Sequence, residues 1–456
     1  MPTEPPDRDG ICEGLPLGWA LDRAKHVVGF ACHPPAAASA PDGDALLSDA
    51  TESHAAIIAP TGAGKGRSVL IPWLLSYRGS TIVVDPKGEA AYVTSRHRRS
   101  LGQRVVVFDP WHRCGCGDLA ATAFNPMEIL LGHSTDLGDD CMTLVELIVG
   151  EAPASSQDPF WRSLAIDLLV ALIGWAWVRA RVTGQQREGD GTLAAVWALL
   201  HDADLSYSLA VIVDTHGKHA ALPAFVRNGL VNFLGHEAER VRTSVRSEAV
   251  SLIRIFSSAR VQAATSRTTL PLEELHDGEQ GVTLFIVVPP DRLESHAALV
   301  RVLLGTLLSI MASRRRRPRL PTLFLVDELG HIGAIPQLKQ AVTLLRGYGV
   351  RVALFLQSMA QLKSLWPHDH DTLLENCGLW MNFGNTTHAS AGRVASHLGD
   401  VSVDALFAMA AHETAIHRAG QPTTIVRRID YLSDERFRGL YDPNPYYATA
   451  PGRLSP

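Results

Sequence analysis

Short apolar runs of four to eight residues recur along this chain, each closed by polar or turn-forming residues. They fall at residues 55–59, 80–85 (STIVVD), 104–109 (RVVVFD), 282–288 (VTLFIVV), 322–326 (TLFLV), 350–356 and 378–383. Runs this short, rich in Val, Ile and Leu, and apolar at successive positions rather than alternate ones, predict strands buried on both faces. Segments of helical period separate them, from residue 67 and at 90–99, 293–313 and 336–346. Strands alternating with helices predict an α/β domain with a mostly parallel sheet covered by helices. Between residues 142 and 270 the pattern changes. Residues 160–181 are apolar on most sides, 193–200 and 222–234 are further helix candidates, and Val241, Val245, Leu252, Ile253 and Phe256 recur at helical spacing. This stretch predicts an all-α insertion dividing the α/β domain into halves at 51–141 and 271–440, the second ending in a short β-rich stretch near Tyr431. Residues 1–50 read as a partly irregular lead-in with one hairpin around 26–32, and 441–456, with their prolines, as a disordered tail.

Composition narrows the class. At 46% apolar and 20% charged residues the chain has the balance of a globular protein, and its 456 residues suffice for a large core. A net charge of −5 excludes a broadly basic nucleic-acid binder, so any DNA contact needs a local or assembled basic surface. Six irregularly spaced cysteines point to a reducing compartment. Cys114 and Cys116 form a C-x-C without a second pair to complete a zinc set, and His216 and His219 lack a third ligand, so both read as ordinary side chains. The longest apolar stretches, 164–182 and 297–312, are interrupted by Asp167, Arg179 and Arg301 and read as buried helices rather than the ~20-residue spans a membrane needs.

The candidate chemistry begins at the first strand. Residues 55–59 lead into the small-residue loop 60–66, and a helix starts near Arg67. Strand, glycine loop, helix is the layout of a phosphate-binding P-loop. Gly62 and Gly64 permit positive φ, so the backbone can turn its N–H groups inward, and the positive end of the helix adds to that anion cradle. Lys65 supplies a point charge to the β- and γ-phosphates. The candidate nucleotide-binding residues are Pro60, Thr61, Gly62, Ala63, Gly64, Lys65, Gly66, Arg67 and Ser68. The strict pattern G-x-x-x-x-G-K-[ST] is not met: Ala59 replaces the first glycine and Gly66 the magnesium-binding hydroxyl.

A partner for that lysine stands ~260 residues downstream, where TLFLV closes on Asp327 and Glu328 in a Walker B pattern. The first acid is suited to hold Mg2+ through water, and the second to activate the attacking water as a general base. Gln357, at the end of the next strand, is placed to sense the γ-phosphate or position that water, or else to turn to solvent. Arg346 is either a finger that stabilises transition-state charge in a neighbour's site or a solvated helix end. The basic loop of Arg314, Arg315, Arg316, Arg317 and Arg319 is either a phosphate contact for nucleic acid or a solvated charge run.

Taken together, the motifs resemble the TraG-like coupling-protein ATPases of conjugative type IV secretion. The likeness rests on APTGAGKG with VLIPWLL, DPKGE at 85–89, FNP at 124–126, DPFW at 158–161, VVPPD at 287–291, LFLVDELGHIG at 323–333, LLRGYGVRVALFLQS at 344–358 and ENCG at 375–378. It runs in order from about residue 50 to 440. The resemblance implies a RecA-like P-loop ATPase with an all-α insertion, related to DNA-pumping translocases of the FtsK–HerA kind. It implies ATP and Mg2+ as cofactors, and a homo-oligomeric ring, commonly a hexamer. It implies DNA, in single-stranded form with a relaxase or protein effectors, as cargo, and the components of a type IV secretion channel as partners. Lys65, Asp327, Glu328, Gln357 and Arg346 fall on the family's motor motifs, and a glycine after the P-loop lysine is usual there, so Thr61 or Ser68 is left to supply the magnesium hydroxyl. Relatives usually begin with membrane-spanning helices, and the segment after Gly399 is short by comparison. The expectation is therefore a cytoplasmic motor, peripheral at the inner membrane through partners. The alternative is a recruiting adaptor that binds nucleotide and cargo and pumps nothing.

Overall fold

A strand with helices on both sides has no solvated face, so its residues are mostly apolar, and the few polar ones in the central strands, such as Thr283 and Arg351, are buried with hydrogen-bond partners. Ala55, Ala56, Ile57 and Ile58 are at most 3% exposed. The structure, a computed structural model, describes residues 14–21, 45–120, 122–131, 135–150, 159–184, 189–278 and 280–447. Its strands are β1 (Leu15–Trp19), β2 (Leu46–Asp49), β3 (Ala55–Ile58), β4 (Thr81–Val84), β5 (Arg104–Phe108), β6 (Val282–Ile286), β7 (Thr322–Val326), β8 (Val350–Leu356), β9 (Leu379–Asn382), β10 (Glu413–Arg418) and β11 (Thr424–Arg427). They form one sheet in the order β2-β1-β11-β10-β9-β3-β8-β7-β4-β6-β5. From β9 to β5 every pairing is parallel, and β10, β11, β1 and β2 add an antiparallel wing. Alternate residues face opposite layers. Ala56, Ile58, Val84 and Phe324 join the core on one side, and Ala55, Ile57, Val83 and Phe355 the core on the other. Each buried phenylalanine contributes about 2–3 kcal/mol of transfer free energy.

Between β5 and β6 the regular elements of the described residues are all helices. The longest, Pro159–Thr183, packs against Ala224–Gly235 and Glu239–Leu252. Gly229 allows this approach, since a Cβ there would lie 2.7 Å from that of Ala171. With 25 residues this helix is long and apolar enough to cross a membrane, against the expectation from sequence, yet Ala165, Leu168, Leu169, Leu172 and Ile173 are at most 1% exposed among its neighbours. The insertion shares its core with the sheet. The helix Leu137–Val149 lies against Ala297–Ala312, where a Cβ on Gly305 would fall 2.0 Å from a Leu147 methyl.

Two expectations at the ends of the chain are corrected. The lead-in is not separate from the domain, because β1 and β2 belong to the main sheet. Asp49 forms a buried ion pair with Arg351 of β8, and Trp73 donates to the Pro16 carbonyl at 2.8 Å. These bonds join partners 302 and 57 residues apart, beyond any local pattern. The hairpin expected around 26–32 lies outside the described residues. At the other end, 441–447 are not a loose tail. Asp442 pairs with Arg96 at 2.6 Å, and the buried Asn444 donates to Glu89 and to the Tyr431 hydroxyl, each at 2.6 Å. The remainder, 448–456, is outside the described residues.

Candidate nucleotide-binding site

β3 delivers its carboxyl end into the glycine loop, and the loop takes the form the glycines permit. Gly62 and Gly64 have φ of 81° and 90°, in the region that a Cβ disfavours. Lys65 is the cap of a helix that opens with a π turn, Gly66–Leu70, and continues as Ile71–Ser76. Its ammonium arches back over the loop and donates to the carbonyls of Ala59 (2.7 Å) and Pro60 (3.3 Å). Loss of hydration lowers its pKa, against the opposing pull of Asp327 and Glu328. Of the two candidate hydroxyls, Ser68 is buried beneath the loop and Thr61 is exposed.

The acids arrive through sheet order. β8 lies between β3 and β7, so the carboxyl ends of the three strands set the loop, Gln357 and the Asp327–Glu328 pair side by side. The Gln357 side-chain amide donates to Glu328 Oε2 at 3.0 Å, and the Glu328 N–H donates to Asp327 Oδ1 at 2.9 Å. Glu328 adopts φ 52°, ψ 35°, one of two left-handed non-glycine residues among those described. This conformation costs about 1–2 kcal/mol, and such cost is commonly stored at working sites. Burial, reinforced by Glu328, pushes the Asp327 carboxyl up to about 6. Asp85, at the end of β4, is pushed up to about 7 by its burial, although it accepts a 2.8 Å bond from the Ala91 N–H at the start of the helix Glu89–Ser100. Lys87, from the same turn, contributes to the field at Lys65 and Asp327.

The structure thus gathers Lys65, Asp327, Glu328 and Gln357 at one edge, and it does not bring Arg346 to them. Arg346 is exposed in the turn Leu345–Tyr348 ahead of β8, while Gln357 follows β8, so roughly 23 Å of strand separates them. The basic loop also precedes its strand, β7, and so lies at the opposite end of the sheet from the P-loop. Arg314 is withdrawn from the candidate DNA contacts. It is 5% exposed and donates to the carbonyls of Leu275, His276, Tyr348 and Gly349 and to the Thr322 hydroxyl. Arg317 pairs with Glu52, and Arg315, Arg316 and Arg319 are exposed.

Several side chains at the site carried no sequence signal. Arg428 donates to the Ala63 carbonyl at 2.7 Å and lies 4.6 Å over the Phe383 ring, from a position 365 residues away. Gly384, with φ 71°, lets the chain after β9 pass so close that a Cβ would lie 2.9 Å from that of Ala63. A cavity of about 310 Å³ beside the loop is lined by Pro60, Thr61, Gln357, Asn382, Asn385 and Arg393, among others. Among the described residues no cluster of three or more His, Cys, Asp or Glu side chains makes a metal cage. The Asp327 carboxylate opposite the glycine loop instead suits a cation that keeps most of its water, as Mg2+ does.

A glycine cradle with its lysine, acids on the next strand but one and a glutamine between them define a RecA-like P-loop nucleotide-binding fold. The chain belongs to the type IV secretory system conjugative DNA transfer family, which it matches over residues 20–436. It is 27% identical over 356 residues to the conjugal transfer protein TraG of Agrobacterium fabrum (strain C58 / ATCC 33970), covering 77% of this chain and 52% of that protein. It is 25% identical over 413 residues to the protein VirD4 of Rhizobium rhizogenes, covering 85% and 56%. The chain therefore spans about half the length of the curated relatives it matches. In fold it is similar to the plasmid coupling protein TrwB in complex with ADP and Mg2+, with a TM-score of 0.63 at 15% identity over 83% of this chain and 85% of that one.

Proposed function

We propose that this chain is the ATPase motor of a type IV secretion coupling protein, recruiting DNA or DNA with attached protein and driving it towards the secretion channel. The observation that carries the reading is the Gln357–Glu328 hydrogen bond beside Asp327 and the P-loop lysine. A recruiting adaptor needs a nucleotide cradle but has no need for a general base held by an amide. In this reading the backbone N–H groups of 60–68 and the Lys65 ammonium bind the phosphates. Asp327 and a loop hydroxyl hold Mg2+, which when bound supplies positive charge to the phosphate oxygens. The Glu328 carboxylate accepts a proton from the attacking water, and Gln357 orients that carboxylate and the water. Arg346 faces away from its own site, so it acts on the site of an adjacent copy in a ring, which we take to be a hexamer. The helical insertion selects cargo.

The test is the steady-state ATPase rate with Mg2+, with and without single-stranded DNA, for the wild type, Glu328→Gln and Lys65→Ala. The motor requires turnover stimulated by DNA, and a fall of about 100-fold or more in Glu328→Gln with nucleotide still bound. A Lys65→Ala protein hydrolysing ATP at the wild-type rate sinks the assignment. Nucleotide binding without turnover under any condition returns the chain to the adaptor class.

A further inference from the structure

The segment after β11 returns across the nucleotide site. Asp430 makes a two-pronged ion pair with Arg67, the second residue after the P-loop lysine. Asn444 is anchored on Glu89, and Asp442 on Arg96, at the helix that follows DPKGE. Just beyond the last of these anchors the chain holds two aromatic rings at the surface. Tyr447 lies 5.8 Å from the Arg67 guanidinium with 47% of its surface exposed, and Tyr446 lies 5.9 Å from the Lys87 ammonium with 59% exposed. Both rings remain largely accessible to solvent while the segment around them is held by hydrogen bonds and ion pairs.

Sheet order gives the direction from which one would come. Asp327, Glu328 and Gln357 lie on the β8–β7 side of β3 and mark the γ-phosphate end of the cradle, whereas Arg428 and Asp430 follow β11 and enter from the β9–β10–β11 side. A nucleotide whose terminal phosphate meets Glu328 extends its sugar and base the other way, past Ser68 and Arg67. There Asp430 holds the Arg67 guanidinium in one orientation, partly exposed and lying over the Tyr447 ring. Planar cations and aromatic rings are the two groups that stack on bases.

We infer that Tyr447 and Arg67 form a stacking platform for the nucleobase of the bound nucleotide, with residues 430–447 acting as the strap that holds the platform against the P-loop. This inference rests on the P-loop reading above. The platform takes any purine nucleotide by its π-face, and it contributes to affinity rather than to hydrolysis.

The test is calorimetric binding of Mg·ADP and of inorganic tripolyphosphate to the full chain. Tripolyphosphate carries the charge and lacks the base. In Tyr447→Ala, ADP affinity is expected to fall about tenfold while tripolyphosphate affinity stays within about twofold. Tyr447→Phe keeps the ring and the ADP affinity, and in Tyr447→Trp the new indole fluorescence changes with ADP and not with tripolyphosphate. Unchanged ADP affinity in Tyr447→Ala, or an equal loss for both ligands, overturns the platform and leaves the P-loop assignment standing. A wild-type protein that binds neither ligand overturns both.

Discussion

Gly330 offers the sharpest probe of how the site is held. It follows the Asp327–Glu328 pair by two residues, in the turn Leu329–Ile332, and a Cβ built on it lands 1.8 Å from the Gln361 side-chain nitrogen. Gln361 cannot stay where it is in Gly330→Ala. Its carbonyl oxygen accepts the Gln357 backbone N–H at 2.9 Å, and the Gln357 side chain in turn donates to Glu328 at 3.0 Å. One methyl group therefore releases a chain of contacts that ends on Glu328, the proposed general base. Leaving the Gln357 N–H without its partner costs about 1–3 kcal/mol if the glutamine stays in place. If it moves instead, a shift of about 1 Å at a reacting group costs on the order of 100-fold in rate. The expected result is a kcat about 10- to 100-fold lower with ADP affinity within about twofold, because neither residue touches the P-loop. The double variant Gly330→Ala/Gln361→Ala removes the clash, so it should match Gln361→Ala alone, with a coupling energy of about 1–2 kcal/mol. Steady-state kinetics on the four proteins make the measurement. A Gly330→Ala enzyme with wild-type kcat, or a double variant whose loss is the product of the single losses, refutes the chain of contacts.

Arg314→Ala should lower the melting temperature through a loss of about 3 kcal/mol or more, since it strips donors from four carbonyls, two of them in fully buried bonds, and from the buried Thr322 hydroxyl. The exposed Arg315→Ala and Arg316→Ala should melt with the wild type, and thermal denaturation of the three variants separates the structural arginine from its solvated neighbours. Burial raises Asp327 to about 6 in the fold, against 3.8 for a free side chain. Its contribution to stability is therefore full below about pH 4 and lost as pH rises through about 6. Asp327→Asn, which carries no charge at any pH, should melt above the wild type at pH 7.5 and converge with it at pH 4. A pH-independent difference contradicts the raised carboxyl.

How much of this was legible along the chain follows from the range of each interaction. The seven parallel strands were visible as apolar runs because a strand covered on both faces has few polar positions to blur the pattern. The P-loop was visible because its chemistry is local: two glycines, a lysine and a helix start within nine residues. The Asp327–Glu328 pair and Gln357 were placed correctly at strand ends, but that they meet Lys65 depends on β8 lying between β3 and β7, which no local signal carries. β1 and β2 were missed because short wing strands follow neither a long apolar run nor a clear alternation.

Charged residues mark the boundary most clearly. Arg314 and Arg315 are neighbours of identical chemistry, yet one is buried against carbonyls and the other is solvated. The difference lies in what β8 and the helix Leu272–Asp277 bring to that spot. Arg428 and Asp430 reach the glycine loop and its helix only by long-range folding, Arg428 from 365 residues away in the chain. The sequence by itself determined the seven parallel strands, the glycine loop and the acids at the strand ends, because each is set by backbone geometry and chemistry within a few residues. Only the tertiary structure decided which arginines are structural, what holds Glu328 and what packs against the glycine loop, because those depend on partners that sheet order alone brings together.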